Sequence, residues 1–194
     1  MDKKEIAREK IITEAGKVFG KLGFKKTHMA AVAREAGMGK SSLYYYFLSK
    51  EELFEAVVDR EAKYLKEEII KATSEVSDPC EKLKAYVFAR MKAFNRSINL
   101  YNAVRTNYLS HLPFIDKVRS KYEKEEKRMV SNILKDGARK KIFIVPNNEL
   151  ATIAIVTAIK GLEMPLLLRK DAADIERQAD QLLTFLFYGI TKGN

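Results

Sequence analysis

The polar chemistry of this chain is concentrated in one short run. THMAAVAREAGMGKSSLYYYFLSKEEL, from Thr27 to Leu53, contains Lys40, Ser41, Ser42, three consecutive tyrosines (Tyr44, Tyr45, Tyr46) and Lys50. These groups form no nucleophile–base pair and no metal-ligand set. They are ammonium and hydroxyl donors, the kind that meet phosphates and base edges in the DNA major groove. Two short helices joined by a tight turn would present them. Ala30, Val32, Ala33 and Ala36 give the first a small apolar face, and Gly37 stops it, because glycine takes the left-handed conformation without steric cost. The second opens near Lys40–Ser42, where a serine can cap free backbone N–H groups. Leu43 and Phe47, four apart, turn back onto the first helix and leave the lysine, serines and tyrosines outside. Two other readings are weighed against this one. The tyrosines of an ordinary helical hairpin would lie on a core. A phosphate-cradling loop is imitated by Gly39-Lys40-Ser41, but it needs glycine at Arg34 and a strand in place of a helix.

AGMGKSSLYYYFLSKEEL resembles the helix-turn-helix signature of TetR-family (tetracycline-repressor-like) transcriptional regulators, through Ala36-Gly37, Leu43-Tyr44-Tyr45-Tyr46-Phe47 and Ser49-Lys50-Glu51. Upstream, GFKKTHMAAVA matches the family pattern at Gly23, Phe24 and Thr27. His28, Gly39 and Leu48 depart from it, standing where threonine, serine and proline are usual. The motif match covers roughly residues 6–55; beyond it the likeness is one of length and helical character. The resemblance implies that Tyr44, Tyr45, Lys40 and Ser41 face bases or nearby phosphates, while Thr27, Ser42, Tyr46 and Lys50 hold the backbone.

The charge distribution agrees with a polyanion partner. The chain has 194 residues and a formal net charge of +10, and residues 1–50 hold eleven Lys or Arg against five Asp or Glu. A basic segment gains affinity through phosphate contacts and counterion release. Cys80 is the single cysteine, which leaves no intrachain disulfide or cysteine metal cluster and fits a reducing cytoplasm. No signal peptide is expected. With two histidines, His28 and His111, far apart, and no nucleophile or metal motif, we expect no enzyme, no metal and no cofactor.

The pattern predicts an all-α chain of about nine helices. The first spans 3–22, with Ile11, Ala15, Val18, Phe19 and Leu22 as its stripe and Gly23 as its end; Lys3, Lys4 and Arg8 lie near its start. Thr27 is expected to cap the second helix. The fourth helix starts at Lys50, with Glu51 and Glu52 in its first turn as the helix dipole favours, and continues to about Ala72. Asp78-Pro79 with Glu81 opens a helix to about Asn95. Further helices are expected near 98–110, over 114–140, after Asn147, and from a cap at Asp171 to about Ile190. Ile142–Val145 has no strand partner and reads as a connecting loop. The apolar run from Leu150 to Leu168 is interrupted by Lys160, Glu163 and Pro165, which excludes a membrane span.

Two further surfaces are expected in the C-terminal part. Tyr86, Arg90, Met91, Phe94, Tyr101, Arg105 and Tyr108 interleave aromatic and polar side chains over the middle helices. Such stripes are commonly plain core. The family resemblance implies that this region encloses a small-molecule pocket, where a buried arginine selects an anionic or carbonyl-bearing ligand. Ala151, Ala154, Ala158 and Gly161 form a stripe of small residues that lets another helix approach closely. The last helix, with Leu182 and Leu186 among seven apolar residues between 182 and 190, is apolar nearly all round, so one side needs a partner. We therefore expect a helix-turn-helix head at 1–49 and a ligand-binding and dimerisation body at 50–194. The reading is a homodimeric repressor of an inverted-repeat operator, released by a small ligand. The rival readings are a ligand-independent architectural DNA binder and a helical enzyme or carrier with an incidental basic head.

Overall fold

A computed structural model of the chain describes residues 2–93, 96–99, 113–167 and 172–190. Among them are eight helices and no strand: α1 (Lys3–Lys26), α2 (Met29–Glu35), α3 (Lys40–Tyr46), α4 (Lys50–Ser74), α5 (Pro79–Ala93), α6 (Pro113–Arg139), α7 (Asn148–Leu167) and α8 (Ala172–Ile190). The all-α expectation holds, and most of the helix expected at 98–110 lies outside the described residues. The chain forms two compact units, residues 1–64 with 94–120, and residues 65–93 with 121–194.

In the first unit, α1 begins with a capping box, Asp2 accepting from the backbone N–H of Lys4 and Glu5 reaching back to Asp2. Its buried stripe is Ile11, Ile12, Ala15, Val18 and Phe19; Leu22, expected in that stripe, is largely exposed. The helix breaks at Gly23, where φ is 77° and only glycine is unstrained. The last turn swings Phe24 into a cluster with Phe19 and Phe54, its ring centroid 4.9 Å from that of Phe54. Two serine and threonine expectations are corrected. The N-cap of α2 is His28, without a side-chain bond, and that of α3 is Gly39, also without one. Thr27 is fully buried, and its hydroxyl donates back to the Gly23 carbonyl in the last turn of α1, at 2.8 Å. α2 ends as predicted at Gly37, with φ 70°. The Met38 N–H reaches Ala33 O and the Gly37 N–H reaches Arg34 O, the paired bonds of a glycine-capped helix end. Val32, Ala33, Ala36, Leu43 and Phe47 are buried between α2 and α3, whereas Ala30 is exposed. Ser49 Oγ caps α4 by accepting the Glu52 N–H at 3.0 Å.

In the second unit, Asp78 Oδ1 accepts the N–H groups of Cys80 and Glu81 at the start of α5, and Asn147 Oδ1 accepts that of Leu150 at the start of α7. Each cap of this kind contributes about 1 kcal/mol. Asp171 lies outside the described residues. The core joins Ile69, Leu83, Tyr86, Val87, Val130, Leu134, Phe143, Ile155, Val156, Ile159, Ala179 and Leu183. The loop after α6 folds Phe143 against Gly137, where a Cβ would come within 2.0 Å of the ring. No helix among the described residues is long and apolar enough to cross a membrane.

Candidate nucleic-acid interface

α3 is seven residues long, about 10 Å at 1.5 Å per residue, which suits a groove about 12 Å wide. Leu43 and Phe47 fix one side of it in the core, and this orients the rest. Lys40, Ser41, Ser42, Tyr44 and Tyr45 are exposed and Tyr46 is half-buried, with Tyr45 the most open of the rings at 68 %. The rings are held by their neighbours. Tyr45 and Tyr46 meet edge to face at 5.2 Å, Lys40 Nζ lies 5.9 Å from the Tyr44 centroid, and Lys4 Nζ lies 5.1 Å from that of Tyr45. Arg8 sits 4.8 Å over the buried Phe47 ring. Lys4 and Arg8 of α1 therefore stand beside α3. The face combines hydroxyl donors, flat rings and ammonium groups, so it can bond phosphates and base edges.

Thr27 and Lys50 occupy different positions from the exposed set. Lys50 Nζ donates to the Phe24 carbonyl at 3.0 Å and lies 4.4 Å over the Phe24 ring, and it stays half-exposed. α1 ends at Lys26, which leaves the Gly23 and Phe24 carbonyls without helical donors; Thr27 bonds one and Lys50 the other. Gly23, Phe24, Thr27 and Lys50 thus form the joint between α1, α2 and α4. The glycine inside a helical pattern was the available signal for that joint.

A family model described as bacterial regulatory proteins, tetR family, matches residues 11–57. The solved structure of a transcriptional regulator from Cytophaga hutchinsonii is similar over 95 % of this chain and 98 % of that one, at 30 % identity and a TM-score of 0.76. The chain belongs to the tetR family of bacterial regulatory proteins. Among curated members, the HTH-type transcriptional repressor KstR2 of Mycolicibacterium smegmatis is 29 % identical over 67 % of this chain and 64 % of its own length. The matches to the first curated relatives span 44 %, 64 % and 33 % of their lengths. The structure of AibR in complex with isovaleryl coenzyme A and operator DNA shares the tetR fold, with a TM-score of 0.73 at 15 % identity over 93 % of this chain and 98 % of that one.

The part of this tetR chain outside the motif holds a buried ionic cluster. Tyr86, Arg90 and Met91 on α5 are buried. The Tyr86 hydroxyl donates to Glu126 Oε1 at 2.6 Å, the Arg90 guanidinium pairs with the same oxygen, and Lys160 Nζ lies 3.2 Å from Oε2. Lys127 beside Glu123, with Lys160 adding to it, holds the Glu123 carboxyl below its usual range. Sequence reasoning found Tyr86, Arg90 and Met91 but missed Glu126 and Lys160. Both sit on helices whose pattern reads as a solvated face or a hydrophobic run. Phe94, Tyr101, Arg105 and Tyr108 lie outside the described residues. Burial, then Asp78, pushes the Cys80 thiol up, the opposite of what a nucleophilic cysteine needs.

The stripe on α7 is partly open: Ala154 and Gly161 are exposed, Ala151 and Ala158 half-buried, and among the described residues no neighbour lies within 4 Å of the Cβ position of Gly161. On α8, Leu182 and Leu186 are half-buried against the core. Phe185 is 78 % and Tyr188 84 % exposed, and Leu150 and Ile153 of α7 are exposed too. These four are the exposed large apolar residues of that helix pair among the described side chains.

Proposed function

We propose that this chain is a homodimeric repressor that binds an inverted-repeat operator and is released by a small molecule. The head is residues 1–49, the ligand and dimerisation body is residues 50–194, and the protein works in the cytoplasm by binding, not by turnover. The observation that carries the proposal is α3, fixed by Leu43 and Phe47 so that Lys40, Ser41, Ser42, Tyr44 and Tyr45 face outward beside Lys4. The named relatives support it: KstR2 is called a repressor, and AibR was captured with operator DNA and an acyl-coenzyme A. In this reading Tyr44, Tyr45, Lys40 and Ser41 meet bases and nearby phosphates. Ser42 and Tyr46 hold the backbone, joined by Lys50 and Thr27 through the joint they brace.

The body supplies the other two activities. Ala151, Ala154, Ala158 and Gly161 with Leu182 and Leu186 make the twofold interface, and the exposed Leu150, Ile153, Phe185 and Tyr188 extend it. A twofold dimer then presents two heads to two half-sites about one helical turn apart. Tyr86, Arg90 and Met91, beside Glu126 and Lys160, belong to the ligand site. A ligand releases the operator only if it binds one conformation better than the other. An anionic or carbonyl-bearing molecule achieves this by competing with Glu126 for Arg90 and Lys160.

Selection from a random DNA library tests the reading. We expect an inverted repeat whose binding weakens steeply with salt, because phosphate contacts supply much of the affinity. A library that yields no inverted repeat would overturn it.

A further inference from the structure

Residues 96–99 lie just beyond α5 in the sequence, yet they pack within the same unit as α1 and the first part of α4. Three contacts hold them. The Arg96 guanidinium donates to the Tyr64 hydroxyl at 3.3 Å and lies over its ring. Ile98 fills a notch on α1 at Gly20, where a Cβ would stand 3.1 Å from Ile98 Cγ2. Asn99, buried, makes three bonds. Its backbone N–H donates to Glu61 Oε2 at 2.9 Å, and its side-chain amide donates to Glu61 Oε1 at 2.6 Å and to the Gly16 carbonyl at 3.0 Å.

Gly16 and Gly20 are one helical turn apart on α1, and Glu61 is on α4, so Asn99 ties the two helices through one side chain. Its bonds to the buried Glu61 carboxylate are charge-assisted and shielded from water, the strong kind of hydrogen bond. Arg60 adds a direct tie from α4 to α1, donating to Thr13 Oγ1 at 2.5 Å. α1 in turn carries Lys4 and Arg8, which lie over the rings of Tyr45 and Phe47. The orientation of α1 on α4 therefore sets the direction in which α3 points.

We propose that Asn99 and Glu61 are positioning residues for DNA reading: they lock α1 to α4 and fix the attitude of α3. This rests on the DNA-binding reading above. The bonds of Asn99 run to Gly16 of α1 and Glu61 of α4, away from the Leu43 and Phe47 contacts that hold α3, so losing the lock leaves each head able to recognise its half-site. What is lost is the fixed presentation of two heads to two half-sites at once, which is the source of bivalent affinity.

The test compares wild type, Asn99→Ala and Gly20→Val on the selected operator and on a duplex carrying one half-site, with hydrogen exchange on each protein without DNA. Gly20→Val keeps the Asn99 side chain but fills the notch that Ile98 occupies and crowds the Asn99 amide, which lies 3.9 Å from the Cβ position. For both variants we expect operator affinity to fall about tenfold, as loss of a buried charge-assisted bond implies. Half-site affinity should stay unchanged, and amide exchange should speed up across residues 13–20 but not across 43–47. Wild-type exchange and operator affinity in Asn99→Ala would overturn the proposal. So would an equal loss on the half-site, which marks a general weakening of the head. A wild type that selects no operator would sink the DNA-binding reading instead, and the exchange pattern alone would then decide whether the lock exists.

Discussion

Among the described residues, two surfaces expose aromatic rings, and the company those rings keep is different. On α3, Tyr44 and Tyr45 stand among Lys4, Lys40, Ser41 and Ser42. On the α7–α8 pair, Phe185 and Tyr188 are accompanied by exposed Leu150 and Ile153. Rings set among cations and hydroxyls can give up their water to a polyanion that replaces each polar contact. Rings set among leucine and isoleucine gain only by meeting another apolar surface. In the proposed reading the same residue class serves two kinds of partner, and the neighbouring side chains distinguish them.

The largest effect should come from charging the apolar face. Phe185→Arg should yield monomers in sedimentation at micromolar concentration, with operator affinity reduced about 10²–10⁴-fold by loss of bivalency; a dimer that survives would break the comparison. Tyr45→Ala should leave the dimer intact and weaken the operator about 10- to 100-fold, the range for a residue meeting a base edge. A filter or anisotropy titration measures it. Lys4→Ala should act more uniformly across sequences and lower the salt slope by about 1.

Sharpening the comparison further requires changes that touch neither surface. Gly137→Ala drives a Cβ into the Phe143 ring and should cost about 1–3 kcal/mol in denaturant unfolding, with Tyr45 and its surroundings unaffected. The smallest effect concerns the end of α6. The Lys141 N–H bonds Ala138 O and the Ile142 N–H bonds Gly137 O, with Lys141 at φ 60°. Lys141→Gly should stabilise the protein by about 1 kcal/mol, the cost of a left-handed L-residue.

That helix end also shows why one part of the chain was more legible than the other. The same paired bonds close α2 and α6, but α2 places Gly37 in the left-handed position and α6 places Lys141 there. Local chemistry announces the first end, whereas tertiary packing of Phe143 imposes the second. The caps at Asp78 and Asn147 and the burial of Leu43 and Phe47 were readable because each depends on residues three or four apart. The outward surface of α3 was readable for the same reason. The bonds of Thr27 and Lys50 to the Gly23 and Phe24 carbonyls were not readable, because they depend on where α1 ends and, for Lys50, on a partner 26 residues away. Glu126 was invisible because its partners lie 34, 36 and 40 residues away in sequence, on α7 and α5. The Asn99–Glu61 lock, 38 residues apart, was invisible on the same grounds.

The central claim is that α3 reads DNA while the α7–α8 face binds a second copy. The most direct measurement scores Tyr45→Ala and Phe185→Arg side by side for sedimentation and for binding to the operator selected by the wild type. The account predicts that Tyr45→Ala remains a dimer that has lost operator affinity, and that Phe185→Arg is a folded monomer. Wild-type operator affinity in Tyr45→Ala, or a Phe185→Arg that remains a dimer, would contradict it.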